Sequence, residues 1–256
     1  MTRLDPTSVV LHSAGEGTPV LLLHCLGVDR HFWDFAAGLA SEFRFLSFDL
    51  PGHGQTPVPP AAYTIEDLAD LCAETLRHEG VSRAHVAGIS LGGLIAQRLA
   101  AAYPAMVDRL VLIDTTPRYT DELRSMWAVR AKGAHEDGVS SLIEGLLPIW
   151  FTPEAIVGNV AAVRYVRDTL VRCSGEGYAL ACEALAAADL RDDAKRIGAP
   201  TLVVCGEEDI PSFLDAARWL AANIPDAKSA WLARARHASV LERPQKALTL
   251  LRAFLR

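Results

Sequence analysis

Two hydrophobic patterns take turns along the chain. Short, continuous apolar runs rich in β-branched residues occupy positions 19–24, 43–49, 84–89, 109–114, 201–205 and 229–232. Runs that are apolar on both faces suit strands covered on both sides, so they predict a mainly parallel sheet. Between them lie segments with helical spacing at 64–79, 91–103, 212–223 and 244–255. Thr64 with Asp67 three residues on marks the start of the first, and Pro104 closes the second. This alternation implies right-handed crossovers and an open α/β sheet. Residues 9–12 predict an antiparallel edge strand that forms a hairpin with the 19–24 strand through Gly15 and Gly17.

The alternation stops between Thr115 and about Arg196. That stretch is rich in Ala, Leu and Val, carries Tyr119, Trp127, Trp150, Phe151 and Tyr178, and has no strand pattern. A structureless connection of this length is improbable inside a compact domain, so a helical insertion is predicted.

Composition narrows the class. Half of the 256 residues are hydrophobic, enough for one sizeable core. A formal charge of −6 and a pI of about 5.7 give no electrostatic reason to seek nucleic acid or an anionic membrane. The segment 1–10 lacks the pattern of a secretory signal, and no apolar stretch reaches the roughly 18 residues of a membrane span. A cytoplasmic protein, monomeric or homodimeric, is expected. Cys25, Cys72, Cys173, Cys182 and Cys205 are scattered and suggest neither a disulfide framework nor a zinc site.

The sharpest chemical signal is Gly88-Ile89-Ser90-Leu91-Gly92, set between a buried strand and a helix. A serine hydroxyl becomes a useful nucleophile only when it is exposed beside a base, and a tight strand-to-helix turn supplies the exposure. In a parallel α/β sheet built around such a turn, the acid and the base follow on loops after later strands. Of the eight histidines, His237 has that placement, between the last strand and the last helix. His12 and His85 fall on strands, His31 just beyond the first core loop, His78 near a helix end and His135 in the insertion. The acid is sought in Cys205-Gly206-Glu207-Glu208-Asp209. Asp209 is the preferred choice, with Glu208, or Asp114 from an earlier strand end, as substitutes. Oxyanion donors are expected from the backbone N–H groups of Leu91 and Leu26, the latter in the loop His24-Cys25-Leu26-Gly27.

Taken together, that loop, Asp49-Leu50-Pro51-Gly52-His53-Gly54-Gln55-Thr56, Gly88 to Gly93, Gly206 to Asp209, and His237 followed by Glu242-Arg243-Pro244 resemble the α/β-hydrolase superfamily. Within it, the Gly27–Trp33 text, the Pro-Gly-His-Gly segment, Tyr63-Thr64-Ile65 and the serine turn look most like 3-oxoadipate enol-lactonases. The resemblance implies a mainly parallel eight-stranded sheet flanked by helices, with core segments 1–115 and 197–256 and a helical cap at 116–196. It also implies hydrolysis of a small lactone or ester through an acyl-enzyme, without metal or organic cofactor. Cys25 departs from the glycine usual after the loop histidine, and would be strained if that position needed positive φ.

Candidate substrate contacts are His24, Trp127, Trp150 and Arg130, with Arg118, Arg164 and Arg172 as further cations for a substrate carboxylate. Each also has a plain structural reading: a histidine bonding loop backbone, tryptophans packing the cap, solvated surface arginines. Two other functions share the sequence features. One is a carboxylesterase or perhydrolase using the same three residues; the other is a non-catalytic α/β-hydrolase scaffold that binds a small ligand.

Overall fold

The computed structural model describes residues 4–256. Among them seven strands share one sheet: β1 (His12–Ala14), β2 (Thr18–Leu23), β3 (Phe43–Ser47), β4 (Ala84–Ile89), β5 (Val107–Ile113), β6 (Thr201–Gly206) and β7 (Ala227–Leu232). Their order is β1-β3-β2-β4-β5-β6-β7, and every pairing except β1 with β3 is parallel. All six apolar runs of the sequence fall on strands. β4 and β6 are buried along their whole length, whereas β7, at the edge, is mostly part-exposed.

Two expectations are corrected. The sheet has seven strands among the described residues, not eight. The first of them does not form a hairpin with the 19–24 strand: His12 pairs with Ser47 on β3. β2 is hydrogen-bonded to β3 on one side and β4 on the other, so no edge is left for β1. The incoming chain therefore adds to β3, whose outer edge would otherwise expose unpaired backbone groups.

Helices α1 (Ile65–His78) and α2 (Leu91–Ala102) follow β3 and β4. The start of α1 is a capping box, with Thr64 accepting from the Asp67 amide and the Asp67 carboxylate accepting from the Thr64 amide. Between β5 and β6 the chain forms α3 (Asp121–Asp137), α4 (Ile143–Trp150), α5 (Pro153–Val157), α6 (Ala161–Arg172), α7 (Gly175–Ala187) and α8 (Arg191–Ala194). A bridge between Arg118 and Asp189 joins the two ends of this insertion. The chain ends with α9 (Pro211–Asn223), α10 (Ser239–Glu242) and α11 (Pro244–Leu255). No described helix is long and apolar enough to cross a membrane.

Because the strands run parallel, their C-terminal ends open on one rim. The loops after β2, β4, β5, β6 and β7 all leave there, and such a rim is where open α/β sheets collect binding groups.

Candidate active site

Ser90 sits between the last residue of β4 and the first of α2, with φ 50° and ψ −112°. This backbone is unfavourable for a side chain bearing Cβ, and surrounding bonds hold it. The Ser90 amide donates to Ile113 O, while Ser90 O accepts from the amides of Gly93 and Leu94 and from Thr115 Oγ1. The flanking glycines are dictated by contact: a Cβ on Gly88 would lie 2.1 Å from Gly92 O, and one on Gly92 2.2 Å from Leu23 O.

Asp209 follows β6 through Gly206, where a Cβ would lie 2.4 Å from the carbonyl oxygens of both Ala235 and Arg236. The absence of a side chain there lets the loop carrying His237 close over the loop carrying Asp209. Asp209 Oδ1 accepts from the Ile210 amide at 2.7 Å, which orients the carboxylate. Its Oδ2 lies 2.9 Å from His237 Nδ1, and His237 Nε2 lies 3.1 Å from Ser90 Oγ. A carboxylate only accepts, so Nδ1 carries the proton and Nε2 is left to accept from the serine hydroxyl. All three residues are buried. Burial opposes charge on His237, but the carboxylate of Asp209, bonded to it, outweighs that effect and raises the imidazole above its ordinary pKa.

The two substitute acids are elsewhere. Glu208 is exposed and faces an outer groove of about 590 Å³ that does not reach Ser90. Asp114 is fully buried at the end of β5, but it accepts from the Gly206 amide and from the amide and hydroxyl of Ser239. It thereby ties the loop of Asp209 to the segment after His237 without touching the imidazole. Burial, then the nearby charge of Asp209, pushes the Asp114 carboxyl up to about 7.

The loop after β2 brings Leu26 to the same rim. The Leu26 N–H has no acceptor among the described residues, and the Leu91 N–H opens α2, where first-turn amides lack helical partners. Cys25 is not at positive φ; that conformation falls on Gly27, at 80°, so the substituted cysteine is unstrained.

Over Ser90 lies a small cavity of about 100 Å³, walled mainly by apolar side chains of the insertion and of α9. Trp127, Trp150 and Arg130 line it. The Arg130 guanidinium stacks over the Trp127 ring, 4.9 Å from its centroid, and has no carboxylate partner among the described residues. His24 does not line the cavity. Its buried ring bonds Cys25 O through Nδ1 and the Leu50 amide through Nε2, so both nitrogens are occupied by backbone. Arg118 pairs with Asp121 and Asp189, and Arg164 bonds Asn159 O at the surface. Arg172 lines a separate groove beside Asp29 and Arg30.

Sequence reading missed Phe213, whose ring lies 4.3 Å from that of His237, centroid to centroid. It also missed Glu242 as a clasp. One Glu242 oxygen accepts from the amide and hydroxyl of Thr152 in the insertion; the other accepts from the amide of Arg236, next to His237. A local signal existed for Phe213, an apolar residue one helical turn beyond the acid. None existed for a contact spanning 90 residues.

A strained serine at a strand-to-helix turn, backed by histidine and aspartate on later loops of a parallel sheet, is the architecture of an α/β hydrolase. The chain belongs to the alpha/beta hydrolase family, whose profile matches residues 20–249. It is similar to 3-oxoadipate enol-lactonase 2 of Acinetobacter baylyi, 30% identical over 89% of this chain and 85% of that protein. Among solved structures it resembles the enol-lactonase from Burkholderia xenovorans, with TM-score 0.92, 32% identity and 96% of each chain covered. A thermophilic esterase from Thermogutta terrifontis superposes with TM-score 0.91 at 27% identity, covering 96% of this chain and 92% of that one.

Proposed function

We propose that the protein is a serine hydrolase that opens a small carboxylate-bearing lactone, with 3-oxoadipate enol-lactone as the substrate and 3-oxoadipate as the product. The single observation that carries this reading is the continuous chain of hydrogen bonds from Asp209 through His237 to Ser90. The similarity to enol-lactonases supports the choice of lactone.

In this reaction Ser90 Oγ attacks the lactone carbonyl while His237 Nε2 takes its proton. The oxyanion is stabilised by the amides of Leu26 and Leu91. The ring C–O bond then breaks, the imidazolium returns its proton to the departing enol oxygen, and the enol becomes a ketone. Water activated by His237 hydrolyses the acyl-Ser90 ester and restores the serine. Asp209 fixes the imidazole tautomer and stabilises the imidazolium. His237 handles the protons of both acyl-transfer steps, which call for no metal or organic cofactor, and the released enol becomes the ketone by a proton shift from oxygen to carbon. Arg130 supplies the cation for the substrate's free carboxylate, and Trp127 and Trp150 wall the ring. The insertion serves as the cap that closes over them. Five cysteines, none in a disulfide, suit a reducing cytoplasm.

A second reading, a carboxylesterase on small acyl esters, is favoured by the likeness to the Thermogutta esterase. A panel of the enol lactone against short p-nitrophenyl esters separates the two. The lactonase reading expects the higher kcat/KM on the lactone, and much higher values on the simple esters would overturn it. Labelling by a fluorophosphonate tests the serine itself: wild type should label and Ser90→Ala should not. An unlabelled wild type would instead point to a non-catalytic binding scaffold.

A further inference from the structure

Among the polar groups lining the cavity over Ser90 that the chemistry above leaves without a task, the Tyr119 hydroxyl stands beside the nucleophile. Tyr119, between β5 and α3, is 1% exposed, and its hydroxyl, though close enough to that of Ser90 to interact with it, makes no well-formed hydrogen bond among the described residues. A buried hydroxyl left unpaired is unfavourable, and in native proteins such a group needs an explanation. The ring is fixed edge-on by Trp127 at 5.2 Å and by Phe213 at 6.1 Å, centroid to centroid, and the residue lines the cavity together with Ser90 and His237.

We infer that Tyr119 is a further catalytic residue, whose hydroxyl donates a hydrogen bond to the leaving-group oxygen of the substrate as the C–O bond breaks. The inference rests on Ser90 being the nucleophile. Its direction follows from packing. The oxyanion faces the amides of Leu26 and Leu91, contributed by the loop after β2 and the start of α2. Tyr119 arrives from the end of β5 and packs on Phe213, whose ring lies against His237. Tyr119 thus shares the cavity wall with Ser90 and His237, and its hydroxyl is assigned to the departing oxygen, which must stand near Nε2 to receive the proton.

In the step itself, the Ser90 Oγ–C bond forms, the bond from carbon to the leaving oxygen breaks, and the proton passes from Ser90 through His237 to that oxygen. Tyr119 keeps its own proton and shares it as negative charge builds. Burial raises the phenol pKa well above its ordinary value, with Ser90 acting in the opposite sense, so the hydroxyl remains a donor at neutral pH.

The test is Tyr119→Phe, which keeps the packed ring and deletes the donor. Wild type and variant are compared by kcat/KM, which reports acylation, on ethyl butyrate and on p-nitrophenyl butyrate. The poor ethoxide leaving group needs the donor, and p-nitrophenolate hardly does. A loss on the order of tenfold to hundredfold on the ethyl ester with less than about threefold on the aryl ester is expected. An equal loss on both esters, as altered packing would give, or no loss on either, would overturn the inference. Fluorophosphonate labelling separates this from the underlying reading. If wild type does not label at Ser90, both fail; if it labels and the two losses are equal, only the role of Tyr119 fails.

Discussion

His237 Nε2 lies 3.1 Å from Ser90 Oγ although the two residues are 147 positions apart in the chain. That distance is already within reach for proton transfer, and its protonation state decides the pH dependence. The imidazole is raised above its ordinary value of 6.5, chiefly because Asp209 outweighs the effect of burial. A protonated imidazole cannot accept the serine proton. The kcat/KM profile should therefore show an acid limb with its midpoint above 6.5, falling about tenfold per pH unit below it. A profile flat between about pH 5 and 8 would exclude His237 as base.

Replacing Asp209 by Asn should lower kcat about a thousandfold or more, by analogy with other serine-histidine-acid sites. It should also shift the acid limb to lower pH than in wild type, because burial, which lowers the histidine pKa, would then be opposed only by the more distant charge of Asp114. Asp114→Asn should reduce kcat less than about tenfold, since Asp114 bonds Gly206 and Ser239 rather than the imidazole. Steady-state kinetics across pH on the two variants decides which carboxylate serves His237.

Arg130→Gln removes the guanidinium stacked on Trp127 at the cavity wall. If it holds a carboxylate, kcat/KM on carboxylate-bearing lactones or esters should fall about tenfold to hundredfold, the loss of a charged hydrogen bond. Neutral esters of the same size should change by less than about threefold. Equal losses on both substrate types would assign Arg130 to cap packing instead.

Glu242→Ala should destabilise the fold by about 1–3 kcal/mol, measured by urea unfolding, because it strands the amides of Thr152 and Arg236 without their acceptor. The same variant should speed limited proteolysis near Thr152, where the insertion is clasped to the loop of His237. Unchanged stability and unchanged cleavage would show that the clasp is dispensable.

The sequence determined what short-range physics controls. Continuous apolar runs marked all six long strands, since strands covered on both faces are predominantly apolar, although the edge strand β7 is mostly part-exposed. Thr64 and Asp67 marked the start of α1 through a contact three residues long. Gly88 and Gly92 marked the turn at Ser90, because only glycine tolerates backbone at 2.1–2.2 Å from its would-be Cβ. Chain order then singled out His237.

Tertiary structure decided whatever depends on groups far apart in the chain. β1 joined β3 rather than β2 because both edges of β2 are occupied, a fact no local pattern carries. Among three adjacent acids, burial and the reach of Asp209 Oδ2 to His237 separated Asp209 from Glu207 and Glu208. His24 left the list of substrate contacts once its two nitrogens were seen bonded to backbone. The clasp of Glu242 on Thr152 and the unpaired hydroxyl of Tyr119 appeared only when the insertion was folded over the sheet. Hydrogen bonds act over about 3 Å of space and are indifferent to separation along the chain, so the site's geometry could emerge only from the packed molecule.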